Sequence, residues 1–413
     1  MKKIILLALL LVVSYTYAQN KNKKDKAIYL DKKPGYYQNV VLKTVSEEDN
    51  TFVIPKENNS KSFVVDLSEY KFPVDTSKYV KQWHNSPINQ GLTGTCWCFA
   101  GTSFIESEIY RINKLKIKLS EMYTVYWEYF ERAKLFAEKH GDMYFNEGSE
   151  VNAVTKIMRL YGAVPAVSYS GLLPGKTVYN QEVMVSKLKN YLESVKKSNN
   201  WDAATILKSV KTILNNYMSE PPTTVSYEGK TYTPKEFVNE VMKINPLNYF
   251  PFMSTKSLVY NQKGIFDEPD NWWHSDDYYN LSLDNYMKLI LNSIQKGYTV
   301  AICGDVSEPG YSAQYQVAVV PTFDCPTEYI NEDARQLRVN NSSTTDDHCL
   351  HLVGYYKNTD GKYWFLIKDS GSGGFDGKTC GYRFYHEDYI KLKMLNILIY
   401  KDAAREFLDK IIK

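Results

Sequence analysis

The stretch Asn89-Gln90-Gly91-Leu92-Thr93-Gly94-Thr95-Cys96-Trp97 decides the reading of this chain. A glutamine stands six residues before a cysteine, and an aromatic residue and a helix-forming run follow that cysteine at once. Thiol chemistry uses the thiolate, which a helix N-terminus stabilises through its unpaired N–H groups and dipole. Gly91, Thr93, Gly94 and Thr95 predict a tight loop, and Cys96 falls where the helix should begin. From that loop the Gln90 side chain can aim its NH2 at an oxyanion formed when the thiolate attacks a carbonyl.

A thiolate also needs a base that later serves as an acid, and histidine suits both roles near neutral pH. Of six histidines, His348 opens a predicted strand in Asp346-Asp347-His348-Cys349-Leu350-His351-Leu352-Val353-Gly354-Tyr355. Alternation puts His348, Leu350 and Leu352 on one face and turns His351 to the other. His84, His140, His274, His351 and His386 read as surface or hydrogen-bonded histidines. A group that orients the imidazole should follow the apolar strand Trp364-Phe365-Leu366-Ile367-Lys368, and Asp369 stands there. As a carboxylate it would accept the Nδ1–H of His348 and favour the imidazolium.

These motifs resemble the papain-like cysteine peptidases. That family reads Asn-Gln-Gly, a short loop and Cys-Trp, then His six residues before the glycine of Val-Gly-Tyr. Glu106 and Leu119-Ser120-Glu121 also match its pattern. The family's cysteine three residues before the nucleophile is replaced by Thr93, as in the bleomycin hydrolase and aminopeptidase C branch. The family's Lys-Asn-Ser-Trp-Gly becomes Lys368-Asp369-Ser370-Gly371-Ser372, so Asp replaces Asn and Gly replaces Trp. With that indole gone and small residues from Ser370 to Gly374, a wetter or more mobile site is expected. A turn whose second glycine pairs with bound peptide in the family reads Asn146-Glu147-Gly148-Ser149 here. Gly148 and Ser149 are therefore the expected substrate-binding positions, with an altered subsite.

The resemblance implies an α+β, papain-like two-lobed fold with a helical lobe and a β-barrel-like lobe. Cys96 and His348 lie 252 positions apart, against ~130–150 in the small members, so a large insertion is expected between the halves. The predicted organisation is a signal peptide at 1–18, a flexible N-terminal arm at 19–62 and a peptidase domain at 63–413. Within it we place a helical lobe at about 90–165, a helical insertion at about 166–295, a β-rich lobe at about 296–400 and a C-terminal helix at 403–412. The run Tyr232-Thr233-Pro234-Lys235-Glu236-Phe237 resembles that of bleomycin hydrolases. Those enzymes place a C-terminal arm in the groove and assemble as hexamers. The tail here, Ala403 to Lys413, reads instead as an amphipathic helix.

Bulk properties set the remaining bounds. Met1-Lys2-Lys3, the apolar run Ile4 to Val13 and Thr16-Tyr17-Ala18 predict a secretory signal cut after Ala18, hence a periplasmic or extracellular protein. The apolar run is too short to span a bilayer of ~30 Å. The net charge of +3 gives no footprint for nucleic acid. The six cysteines show no metal-ligand spacing, and neither metal nor cofactor is expected. Expected partners are peptide substrates and, by resemblance, further copies of the chain. The leading expectation is a cysteine aminopeptidase working through a thioester. Alternatives are an endopeptidase of the same fold and a peptide-binding protein impaired in turnover. A cell-wall amidase fits the Gln90–Cys96 loop and the long gap to His348 poorly.

Overall fold

A computed structural model describes residues 24–55 and 61–411. The predicted signal peptide lies outside them. Five helices, Cys96–Asn113, Glu121–Glu138, Asn152–Tyr161, Glu182–Ser198 and Ala203–Met218, share the larger core. The Cys96 helix is buried on all sides from Trp97 to Ile109, so the helix-forming run after Cys96 packs around its whole circumference. Ser120 caps the second helix, accepting the Tyr123 N–H at 3.0 Å.

The Cys96 helix packs on the strand His348–Lys357, at the centre of an 11-stranded sheet. Antiparallel neighbours Val300–Gly304 and Tyr363–Lys368 flank that strand. Beyond them lie Met394–Tyr400 on one side and Tyr382–His386 on the other. The sheet is open, which corrects the expected barrel-like lobe: its edges end in the short strands Tyr311–Ser312 and Gln262–Gly264, which do not pair with each other. Its far face carries the helices Leu283–Gln295 and Glu387–Lys393 over a second core.

Two expectations about organisation fail. Part of the N-terminal arm is structured: Ala27–Asp31 pairs antiparallel with Lys61–Val65. Helical turns from Tyr37 to Glu48 bury Val41, Leu42 and Val45 against Leu92 of the Gln90 loop. Short apolar runs among lysines and asparagines thus find a surface that composition does not reveal. The segment expected to be helical to about residue 295 also returns to the sheet, through Tyr249–Met253 and Tyr278–Asn280. Val225–Tyr227 and Lys230–Tyr232 form a hairpin, and Thr233 and Glu236 close a reciprocal cap after it.

Candidate active site

Cys96 is the first residue of its helix and stays partly exposed beneath the Gln90 loop. Its backbone N–H, at the first position of the helix, has no partner within the helix by position. The loop is fastened from two sides. Gly91 has φ +68°, and a Cβ there would collide with the Tyr179 carbonyl, whose oxygen accepts the Leu92 N–H at 2.8 Å. The Gln90 N–H donates to the Ser370 carbonyl at 2.9 Å, and Asn89 Nδ2 reaches the same oxygen at 3.2 Å. The Gln90 side chain is clamped as well: its Nε2 donates to the Thr93 carbonyl at 2.8 Å and its Oε1 accepts from Ser370 Oγ at 2.7 Å. One N–H of that amide remains for an oxyanion.

His348 bridges Cys96 and Asp369. Its Nε2 lies 2.8 Å from Asp369 Oδ1, and a hydrogen bond and charge interaction join the ring to Cys96. This corrects the expected contact through Nδ1: the ring is turned so that Nε2 meets the carboxylate, which leaves Nδ1 for the thiol. Burial opposes a charge on His348, but Asp369 and then Cys96 raise its pKa well above the ordinary value. Burial likewise opposes the Asp369 carboxylate. His348, Arg383 and the Gly371 N–H outweigh it and lower that pKa to about 2.

Arg383 and Tyr311 are the site residues that sequence reasoning missed. Arg383 Nε donates to Asp369 Oδ2 at 3.2 Å, Tyr311 OH donates to the same oxygen at 3.3 Å, and the guanidinium lies over the Tyr311 ring. A buried arginine opposite an expected buried aspartate was the available signal, but the two are 14 positions apart on different strands. Asp369 is buried, which also corrects the expectation of a wetter site. In place of an indole, loop backbone covers the pair. A Cβ at Gly371 would stand 3.2 Å from His348 Cε1, and one at Gly374 2.9 Å from Asp369 Oδ2.

Strand alternation does not separate the two histidines. His351 does not turn away from the helix that bears Cys96; it packs on the same helix, with Nδ1 2.8 Å from Ser103 Oγ. His348, as the first residue of its strand, reaches past the strand end to the helix N-terminus. The two histidines are separated by their position along the helix. Burial holds His351 well below the ordinary histidine pKa, with the nearby Lys368 charge adding to the effect.

Ser149 is not open to a substrate. It is buried and its hydroxyl donates to Glu128 Oε1, which also accepts from Trp272 Nε1 and Trp273 Nε1 at 2.8 and 2.9 Å. Removing the second glycine of the turn thus gave a side chain that anchors it inward. The two tryptophans pack rather than line a groove. Gly148 stays half-buried, with its carbonyl held by Arg132 and the Asp270 carboxylate packed against its Cα. Glu147 Oε2 accepts the Gly94 N–H at 2.6 Å and ties this turn to the Cys96 loop.

Glu106 is a buried acid that accepts from Lys118, the Leu119 N–H and Asn85. Cys98 is a core thiol. Cys303 and Cys349 face each other on adjacent strands and form a disulfide beside His348. Glu150 lies close to both sulfurs, but the disulfide occupies them, so this group does not form a metal site.

A thiol at a helix N-terminus, an imidazole held by a carboxylate and an amide donor across the loop can together carry out acyl transfer. Comparison with known proteins assigns the class: the chain belongs to the peptidase C1-like family, whose profile matches residues 40–411. It is a cysteine-type peptidase of papain-like fold. Among relatives, it is 23% identical over 361 residues to "Aminopeptidase C" of Lactococcus lactis subsp. cremoris, covering 77% of this chain and 81% of that protein. It is also 23% identical to "Aminopeptidase C" of Listeria monocytogenes, over 53% of this chain and 58% of that one. The crystal structure of PepW from Lactobacillus rhamnosis HN001 superposes with a TM-score of 0.66 at 17% identity, over 80% of this chain and 83% of PepW. That likeness speaks for the fold.

Proposed function

We propose that this protein is an exported cysteine aminopeptidase that hydrolyses peptides through a thioester on Cys96. The observation that carries the reading is the Cys96–His348–Asp369 chain of contacts at a helix N-terminus. The His348 imidazolium forms an ion pair with the Cys96 thiolate. Sγ attacks the peptide carbonyl, and the Gln90 amide and the Cys96 N–H stabilise the oxyanion. His348 protonates the departing amine, then takes a proton from the water that cleaves the thioester. Asp369 holds the ring and its charge throughout, itself held by Arg383 and Tyr311. The aminopeptidase reading is supported by the relatives named "Aminopeptidase C". Export is supported by the residue pattern of 1–18 and by the Cys303–Cys349 disulfide, a bond typical of oxidising compartments. Self-assembly is proposed on resemblance alone, and sedimentation of the purified protein tests it.

The test of the activity is hydrolysis of matched fluorogenic peptides with free and blocked amino termini, under reducing conditions, beside Cys96→Ala. Cleavage of the free forms alone, lost in the variant, is the expected result. Cleavage of blocked forms as well would make the protein an endopeptidase. No cleavage of either would make it a peptide-binding protein.

A further inference from the structure

A second set of buried acids stands one layer from Cys96 and His348, and its charges are not balanced. Glu150 and Asp346 meet across Asn396, whose Nδ2 donates to Glu150 Oε2 at 3.0 Å and to Asp346 Oδ2 at 2.6 Å. That amide is the only donor the pair shares among the described hydrogen bonds. Asn396 Oδ1 is buried with no partner among the described residues, and Glu150 and Asn396 are 1% and 0% exposed. The adjoining Tyr278 hydroxyl faces Glu150 and favours its charged form. Asp270 and Glu268 face the same pair and add their charge. Among the described ion pairs, no lysine or arginine joins Glu150, Asp346, Glu268 or Asp270; the buried Arg335 feels the charge of Asp346, but its guanidinium donates to backbone carbonyls. Arg132 approaches Asp270, but its guanidinium donates to the Gly148 and Tyr144 carbonyls. Such a surplus of buried acceptors is costly unless a cation completes it.

The position relative to the reacting atoms is fixed from both sides. Asp346 precedes His348 by two residues, at most about 7 Å of chain. Asp270 packs on Gly148, whose neighbour Glu147 holds Gly94, two residues before Cys96. A substrate residue in extended form spans about 3.5 Å, so a group seated here belongs to a residue at or next to the attacked carbonyl. Asp346, Asp270 and Glu268 are partly exposed, whereas Glu150 and Asn396 are buried behind them.

We propose that the pocket lined by Glu150, Asp346 and Asn396 is a substrate subsite for a positively charged nitrogen, either the free α-ammonium of the residue being removed or the side chain of a neighbouring lysine or arginine. This rests on the reading of Cys96 as the residue attacked by substrate. With an α-ammonium it supplies the amino-terminal restriction. The C-terminal helix Arg405–Ile411 packs instead on the second core, where Lys288 meets Glu406. The acids' shifts agree: burial, with Asp270 next, raises Glu150 to about 8, and burial with Asp267 and Asp270 raises Glu268 to about 7. A bound cation would relieve both.

The test reads occupancy without turnover. Alkylation of Cys96 by neutral iodoacetamide is followed by peptide mass spectrometry in the presence of leucinamide, N-acetyl-leucinamide or N-acetyl-lysyl-leucinamide. Protection by leucinamide alone identifies the α-ammonium, protection by the lysyl compound alone the side chain, and protection by both a subsite open to either. In each case Asp346→Asn should raise the half-protecting concentration about 10-fold or more, scored against the variant's own unprotected rate. Glu150→Gln should do the same; should it fail to fold, the partly exposed Asp346 still decides the matter. Equal protection by N-acetyl-leucinamide, no protection by either cationic compound, or an unchanged half-protecting concentration in Asp346→Asn overturns the proposal. Because alkylation needs no hydrolysis, an inactive enzyme would defeat the functional reading and leave this result readable.

Discussion

Asp369 and Asp346 flank the same histidine, the first buried and the second partly exposed, and their environments drive them in opposite directions. Asp369 accepts from His348, Arg383, Tyr311 and the Gly371 N–H, and its pKa falls to about 2. Asp346 accepts from the Asn396 amide; burial and the charges of Glu150, Glu268 and Asp270 lift its pKa well above the ordinary range, against the pull of the more distant Arg335. Desolvation of the carboxyl group is common to both. What separates them is the sign and number of their neighbours, which decides whether a desolvated acid holds a charge or waits for one. The first arrangement is complete in the free protein and suits a fixed catalytic role. The second is complete only with a cation.

The largest expected effect breaks the complete side. His348→Ala removes the base, the acid and the thiolate's partner together. kcat/KM should fall by about 10^2–10^4-fold, measured with whichever peptide the wild type cleaves best. A loss of less than a factor of ten would mean that another group takes the proton. Next in size is Arg383→Leu, which leaves Asp369 buried with one cation fewer. Breaking a buried pair in this way costs about 3–5 kcal/mol, and denaturant unfolding at neutral pH should show it. A change below about 1 kcal/mol would mean that His348 and the loop N–H groups suffice. A smaller effect follows Asp369→Asn. Without the carboxylate the His348 pKa drops, so the alkaline limb of kcat/KM should move down by about one pH unit or more, with the acid limb little changed. An unmoved limb would show that the Cys96 thiolate alone holds the imidazolium.

The complete side was largely legible in the sequence, and the incomplete side was not. Cys96 with Gln90 is a local pattern of seven residues, and His348 is fixed by its distance from Gly354, so short-range chemistry reveals both. Asp369 follows because a strand end is a predictable place for an orienting group. Arg383 could not be reached this way, since its approach to Asp369 depends on the pairing of Tyr363–Lys368 with Tyr382–His386. The same limit hid the pocket: Glu150, Asp346 and Asn396 come from a helix approach, a loop and a strand 246 positions apart at the extreme. Ser149 misled for a local reason, because sequence cannot tell whether a replaced glycine turns its new side chain outward or, as here, to Glu128. The barrel-like lobe failed at sheet closure, which edge strands of two or three residues decide.

The smallest expected effect concerns stability, and it separates the two acids by sign. A carboxyl whose folded pKa lies below its unfolded value stabilises above the unfolded pKa and loses that contribution as pH falls through the folded one. For Asp369 the loss runs from the ordinary aspartate range down to about 2. Glu150 is the reverse case. Its folded pKa of about 8 lies above the unfolded value, so the folded protein binds the extra proton between the ordinary glutamate range and about 8. Stability must therefore fall as pH rises through that window. Glu150→Gln keeps the shape and removes the titration. Its unfolding free energy, followed by urea titration from pH 5 to pH 8.5, should decline less steeply than that of the wild type, with the two closest at the acid end. Leucinamide, if it seats beside Glu150, should flatten the wild-type slope in the same direction, because a cation supplies what the proton otherwise does. Parallel slopes for the two proteins would mean that Glu150 is ionised throughout, and the pocket would then hold its charge unaided, as the Asp369 site does with Arg383.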